Sequence, residues 1–160
     1  MQVPSYYGDL SVFENLWLAS FARLRSAGAA EGQATRTLGW LGLSAKAESL
    51  ASALSHGEHQ WLEIGMVVAG SPSVMLLDEP TAGMTREETQ RTVDMIRAVS
   101  RFATVIVVEH DMEFVRALGA PVTMFHQGLV FAKGSIEDLR RDERVLDTYL
   151  GRSVSADAAN

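Results

Sequence analysis

The period of the hydrophobic positions changes near residue 70. From about Ser11 to Gly70 the pattern is helical and holds no strand-like run. Phe13, Leu16, Trp17 and Phe21 fall at helical spacing, and that segment is expected to close at Gly28. A second helix is expected over Ala34 to Leu41, stopped by Gly42, and a third starts at Ser55. From Ser73 onward strand, loop and helix alternate. Val74-Met75-Leu76-Leu77 and Thr104-Val105-Ile106-Val107-Val108 are short continuous apolar runs, each followed by a polar turn and a helix. That is the pattern of parallel strands covered on both faces. Between them Thr85-Arg86-Glu87-Glu88 is a capping box, and Val93, Ile96 and Val99 give the following helix its buried stripe. Pro121 to Phe125 and Leu129 to Ala132, joined through His126-Gln127-Gly128, are predicted to form a closing hairpin. The expected architecture is a helical subdomain inserted before an incomplete α/β core.

Composition narrows the function classes. The length of 160 residues suits one domain with a real core, and 47% hydrophobic with 21% charged residues is ordinary for a globular protein. Twenty acidic against 14 basic residues give a net charge of −6, which argues against a nucleic-acid partner, because phosphate-backbone surfaces cluster Lys and Arg. Cysteine is absent, excluding disulfides and thiolate metal sites. No run approaches the roughly 18–20 apolar residues that span a bilayer, so no direct membrane insertion is expected. The first residues are neither basic nor apolar, unlike a signal peptide, so the expected address is the cytoplasm. Residues 153–160 read as a small, polar, flexible tail.

Three segments carry candidate chemistry. In Val74-Met75-Leu76-Leu77-Asp78-Glu79-Pro80 a buried strand delivers two carboxylates to its C-terminal end, where open α/β sheets bind ligands. Neighbours on an extended segment point opposite ways, so the two acids are expected to differ in role. Asp78 is placed to hold the water shell of Mg²⁺, and Glu79 to face an attacking water. A solvated Asp-Glu turn is the commoner meaning of such a pair; the apolar run before it and Pro80 after it favour the functional one. In Leu54-Ser55-His56-Gly57-Glu58, Ser55 and Glu58 form a second capping box whose free amides, hydroxyl and bare Gly57 backbone make a ready anion site. On local pattern alone, a merely well-capped helix is equally good. Glu109-His110-Asp111 follows the second strand, and a His there can hydrogen-bond a phosphate oxygen. His56, His59 and Glu63 have helical spacing suited to a metal, although such groups usually decorate a solvated helix face.

Content, order and spacing of these segments resemble the nucleotide-binding subunits of ABC transporters. Leu54-Ser55-His56-Gly57-Glu58 is similar to the family signature Leu-Ser-Gly-Gly-Gln. Leu76-Leu77-Asp78-Glu79-Pro80 looks like the Walker B motif, Thr81-Ala82-Gly83-Met84 like the D-loop, and His110 stands at the switch-histidine position. Gln2 falls where the family places its Q-loop glutamine. Gln60 to Met66, Glu109 to Val115 and Tyr149-Leu150-Gly151 look like the ATPases of urea importers, with branched-chain amino acid importers as near relatives.

The resemblance implies an α/β P-loop NTPase core of the RecA-like ABC type with the ABC helical subdomain. Residues 1–70 would hold the Q-loop remnant and that subdomain, and residues 71–152 the C-terminal part of the core. It also implies Mg²⁺ and ATP as cofactors, with permease subunits and a second ATPase subunit as partners at the inner face of the cell membrane. In a head-to-tail dimer Ser55 and Gly57 would meet the γ-phosphate held by the other subunit, while Asp78, Glu79, His110 and Gln2 act in cis, Asp78 and Gln2 at the Mg²⁺ of a completed site.

Three departures qualify this. His56 replaces a signature glycine, where it would crowd the turn or, protonated, attract phosphate; Glu58 replaces the usual Gln and adds negative charge. Above all, no Gly-x-x-x-x-Gly-Lys-Ser/Thr occurs, since Lys46 and Lys133 both follow alanine. The core is therefore expected to lack the Walker A strand and loop, to bind Mg²⁺ and ATP weakly and to be inactive as an isolated chain. Unpaired strand edges then favour a homo-oligomer or a swapped dimer. The competing expectation is a non-catalytic interaction module docking on a permease or an intact ATPase.

Overall fold

The computed structural model describes residues 6–149, which fall into two compact units, one up to Glu109 and one from His110. In the first unit, helix α1 (Val12–Leu24) opens on a complete capping box. Ser11 Oγ accepts the Glu14 amide, and the Glu14 carboxylate accepts the Ser11 amide at 2.7 Å. It ends earlier than the sequence suggests, at Arg25 in a left-handed conformation (φ 54°). Ser26 caps a new helix at once, so α2 (Ala27–Leu41) includes Gly28 and begins well before Ala34. The Ala27-Gly28-Ala29-Ala30 stretch lacks an apolar stripe, but alanine has the highest helix propensity and extends the helix backwards. Gly42 closes α2 at φ 66°, as expected. Single 3₁₀ turns at Ser44–Lys46 and Ala51–Ala53 lead to α3 (His56–Ala69), again opened by a capping box.

The three helices form one core. Val12, Leu16, Leu38, Leu41, Trp61 and Leu62 are buried together. Gly65 permits the close approach of α3 to α2, since a Cβ there would lie 2.5 Å from Leu41 Cδ1. Trp61 is anchored at its polar end, its indole N–H donating to Thr92 Oγ1 at 3.0 Å, and its ring lies 4.1 Å from the Arg91 guanidinium.

Strands β1 (Val74–Asp78) and β2 (Thr104–Val108) pair in parallel through α4 (Arg86–Val99), in a register from Val74↔Thr104 to Asp78↔Val108. Thr85 and Glu88 make the predicted capping box, and Thr92, Val93, Met95, Ile96 and Val99 are the buried stripe. Only one face of the pair is covered. Met75, with Leu77 and Val105 half-buried, packs on Val99, Ala103, Trp40 and Val68. On the opposite face Val74, Leu76, Ile106 and Val108 are exposed, Leu76 at 74% and Val108 at 60%. The expectation of strands covered on both faces is thus met on one. Helix α4 supplies one apolar layer, and no other described element of this unit supplies the second.

In the second unit, Asp111 caps α5 (Met112–Leu118), accepting from Glu113 and Phe114, and Gly119 (φ 67°) ends it. The predicted hairpin is present as β3 (Val122–His126) and β4 (Leu129–Gly134), with a bulge between Met124 and Phe125. Its turn takes positive φ at both Gln127 and Gly128, which suits the twist of a two-residue hairpin loop. Helices α6 (Ile136–Leu139) and α7 (Glu143–Tyr149) follow. No helix among the described residues is long and apolar enough to cross a membrane.

Candidate functional site

The carboxylate pair stands at the C-terminal end of β1. Asp78 is its last residue, in register with Val108, and is exposed. The Glu79 amide donates to Val108 O at 2.9 Å, adding one rung to the ladder. There the extended backbone stops. Glu79 has φ 46°, a left-handed value that costs a non-glycine residue on the order of 1 kcal/mol or more and tends to mark functional sites. The alternation rule that predicted opposite directions for Asp78 and Glu79 therefore does not extend to Glu79. The chain then folds tightly, with Ala82 N donating to Glu79 O and Met84 N to Thr81 O, both at 3.1 Å, and Gly83 at φ 72°.

Glu109, which follows β2, holds this loop. Its Oε1 accepts from Thr81 Oγ1 at 2.7 Å and from Thr81 N at 3.3 Å. The sequence singled out His110 rather than Glu109 in this segment. The available signal was a buried-type Thr after the acidic pair and an acid after the neighbouring strand.

The start of α3 is engaged with its own unit. Ser55 Oγ accepts the Glu58 amide at 3.3 Å, and Glu58 Oε2 accepts the Ser55 amide at 2.9 Å. Lys46 Nζ lies 2.7 Å from both Glu58 oxygens. Burial alone would raise the Glu58 carboxyl, but the Lys46 hydrogen bond, the Ser55 amide and the Lys46 charge together hold it below its ordinary value. The Glu88 carboxylate lies against Gly57, where it occupies the space a Cβ would need. Hydrogen bonds from the Thr85 amide and hydroxyl hold Glu88 below the usual carboxylate range; burial opposes them, as does Glu58, while the His56 charge assists. His56 neither crowds the turn nor stands free for phosphate: its Nε2 sits 2.8 Å from Ala82 O.

The structure thus brings Ser55, His56, Gly57 and Glu58 together with Ala82 and Gly83, and joins Asp78 and Glu79 to the same loop. Met84 packs against the helical core, its Sδ accepting from Thr92 Oγ1 at 3.3 Å. His110 belongs to the second unit, next to the Asp111 cap. Gln2, expected at the nucleotide and the metal, lies outside the described residues. The imagined metal set disperses: His59 Nε2 is 2.7 Å from Ala51 O and its ring stacks on Tyr6, while His56 is turned to Ala82. No three His, Asp or Glu side chains among the described residues are grouped to hold a metal ion.

These residues do not by themselves fit ATP. The first turn of α3 faces two carboxylates, Glu58 and Glu88, and the one lysine beside it is committed to Glu58. No glycine-rich lysine loop occurs in the sequence to cradle phosphates.

The fold is that of an ATP-binding cassette. MJ1267, an ATP-binding cassette of an ABC transporter, is similar with a TM-score of 0.80 at 22% identity, over 94% of this chain and 67% of that one. CbiO1 from Clostridium perfringens, part of the ABC transporter complex CbiONQ, gives a TM-score of 0.77 at 19% identity, over 89% of this chain and 57% of that one. The ABC transporter family profile matches residues 1–82, just over half the chain, and the chain belongs to that family. The high-affinity branched-chain amino acid transport ATP-binding protein LivG of Salmonella typhimurium is 28% identical over 92% of this chain. The methionine import ATP-binding protein MetN of Vibrio cholerae is 30% identical over 81% of it. The chain spans 64% of the length of LivG and 38% of that of MetN.

Proposed function

We propose that this chain is the hydrolytic and signature-bearing portion of the ATP-binding subunit of an ABC importer, and that it works only when a P-loop portion completes it. The observation that carries this reading is the bare apolar face of β1 and β2 in a cassette fold whose sequence has no phosphate-cradling loop. A parallel strand pair is normally buried on both faces, so the exposed face marks where a further layer belongs. In a completed site Asp78 would serve the metal's water shell, Glu79 the attacking water, and His110 and Gln2 the nucleotide phosphate. Ser55, His56, Gly57 and Glu58 would face a nucleotide on a second subunit across the loop Ala82-Gly83-Met84.

Residues 1–70 form the helical subdomain in this reading and residues 71–152 the core portion. The likeness to LivG supports a branched-chain amino acid type importer, with urea import as the finer alternative suggested by the sequence. Permease subunits at the inner membrane face and a second ATPase subunit are then the partners. Calorimetry with Mg-ATP tests the reading: no binding tighter than millimolar is expected of this chain alone, and tight stoichiometric binding overturns it.

A second reading is an interaction module that docks on a permease or an intact ATPase. The core that α1, α2 and α3 share with Met95 of α4 favours it, because that core buries its apolar side chains without the bare sheet face. Light scattering at micromolar concentration separates the possibilities for the bare sheet face. A dimer supports self-association or swapping; a monomer assigns the face to a different chain.

A further inference from the structure

The two departures in the signature-like turn are each answered by a partner in the same unit. Glu58 is matched by Lys46. His56 is matched by the backbone of the following loop: its Nε2 lies 2.8 Å from Ala82 O, and a Cβ at Gly83 would come within 3.3 Å of that same nitrogen. A carbonyl oxygen only accepts, so the ring must carry its proton on Nε2. Glycine at position 56 could make no such bond. The loop is also tied from the other side, where Thr81 donates twice to Glu109. Between Glu79 and Met84 the backbone closes two tight turns and holds positive φ at Glu79 and Gly83. One side-chain tether from α3 and one from the end of β2 therefore fix a strained loop that begins at Glu79.

We infer that His56 is a positioning residue that couples the first turn of α3 to the Glu79–Met84 loop, so that a change at the turn is transmitted to the loop. Its importance for hydrolysis rests on the proposed function above; the coupling itself does not. The charged groups around the imidazole are Glu88, which lies against Gly57, and Glu58, which is paired with Lys46. A carboxylate only accepts and so cannot bond the Ala82 carbonyl, which leaves the imidazole hydrogen bond as the direct link from the turn to Ala82.

Nuclear magnetic resonance on the full chain without nucleotide tests this. The His56 ring should show the Nε2–H form. Lys46→Ala, which releases Glu58 in the same turn, should shift the Ala82 and Gly83 amides in the wild-type background and leave them unmoved in His56→Gly. Thr85, bonded to Glu88, serves as the control for through-space charge effects. Amide exchange at Ala82 should rise about fivefold in His56→Gly, as for the loss of one hydrogen bond, and His56→Gln should restore it. An Nδ1–H ring, or equal Lys46→Ala shifts with and without His56, overturns the coupling. So does a Gln variant that behaves like Gly while α3 and α4 keep their resonances. Because nucleotide is absent, a failed coupling leaves the proposed function standing, and tight Mg-ATP binding by the chain would leave the coupling standing.

Discussion

Two regions of the first unit follow the same burial rule to different ends. In the three helices Val12, Leu16, Leu41 and Leu62 are fully buried, and each helix closes its ends with its own caps. In the strand pair Met75 is buried, yet Leu76 and Val108, in the same two strands, are 74% and 60% exposed. The helices satisfy one another, because an amphipathic helix needs only one partner surface. A two-stranded parallel sheet has two apolar faces, and α4 reaches one. The folding energy of the unit should therefore be concentrated in the helical core, while the sheet's second face contributes to stability only when something covers it.

Single truncations break or sharpen this contrast most directly. Leu62→Ala should cost about 2–5 kcal/mol, the usual cost of a large-to-small change in a packed core. Leu76→Ala on the bare face should stay within roughly 0.5 kcal/mol, as surface changes do. Urea unfolding curves measure both, and equal losses would mean that the sheet face is covered in solution. Next in size comes Gly65→Ala. The added methyl would meet Leu41 Cδ1 at 2.5 Å, and overpacking of this kind costs about 1–3 kcal/mol. If the α2–α3 approach is the cause, pairing it with Leu41→Ala should give less than the sum of the two single losses in a double-mutant cycle.

The same contrast explains what the sequence disclosed. Capping boxes at Ser55 and Thr85 and the Val93-Ile96-Val99 stripe are local rules, settled within one or two turns, and the structure has them. The start of α2 is not legible from periodicity, because Ala27 to Ala30 form helix by propensity without an apolar period. The coverage of β1 and β2 is not legible either, because a continuous apolar run states that a strand can be buried, not that a second layer is present. At the candidate site, Asp78 and Glu79 were legible from the strand that delivers them. The tethers His56–Ala82, Lys46–Glu58 and Thr81–Glu109 were not, since they join residues brought together only by tertiary packing.

Capping gives a smaller test within the sheet layer. Thr85→Ala removes the oxygen that accepts the Glu88 amide and should cost about 1 kcal/mol of stability. Thr85→Ser should recover most of it in thermal melts. Failure of the serine to recover would assign the loss to the threonine methyl rather than to the cap.

The smallest expected effect belongs to Lys46, whose side chain is nearly half exposed where it meets Glu58, so solvent limits the pair to under about 1 kcal/mol. The sign of its pH dependence follows from the Glu58 carboxyl, which folding holds below its ordinary value of 4.5. A depressed carboxyl stabilises the fold at pH values above the unfolded value, and that contribution disappears as pH falls through the lower, folded one. The melting temperatures of wild type and Lys46→Ala should therefore differ near neutral pH and converge under strongly acidic conditions. Molar salt should narrow the neutral-pH gap as well, because an exposed pair is screened. A gap that persisted in acid would show that Lys46 acts through the packing of its aliphatic stem, placing it with the buried helical core instead of with the charges at its edge.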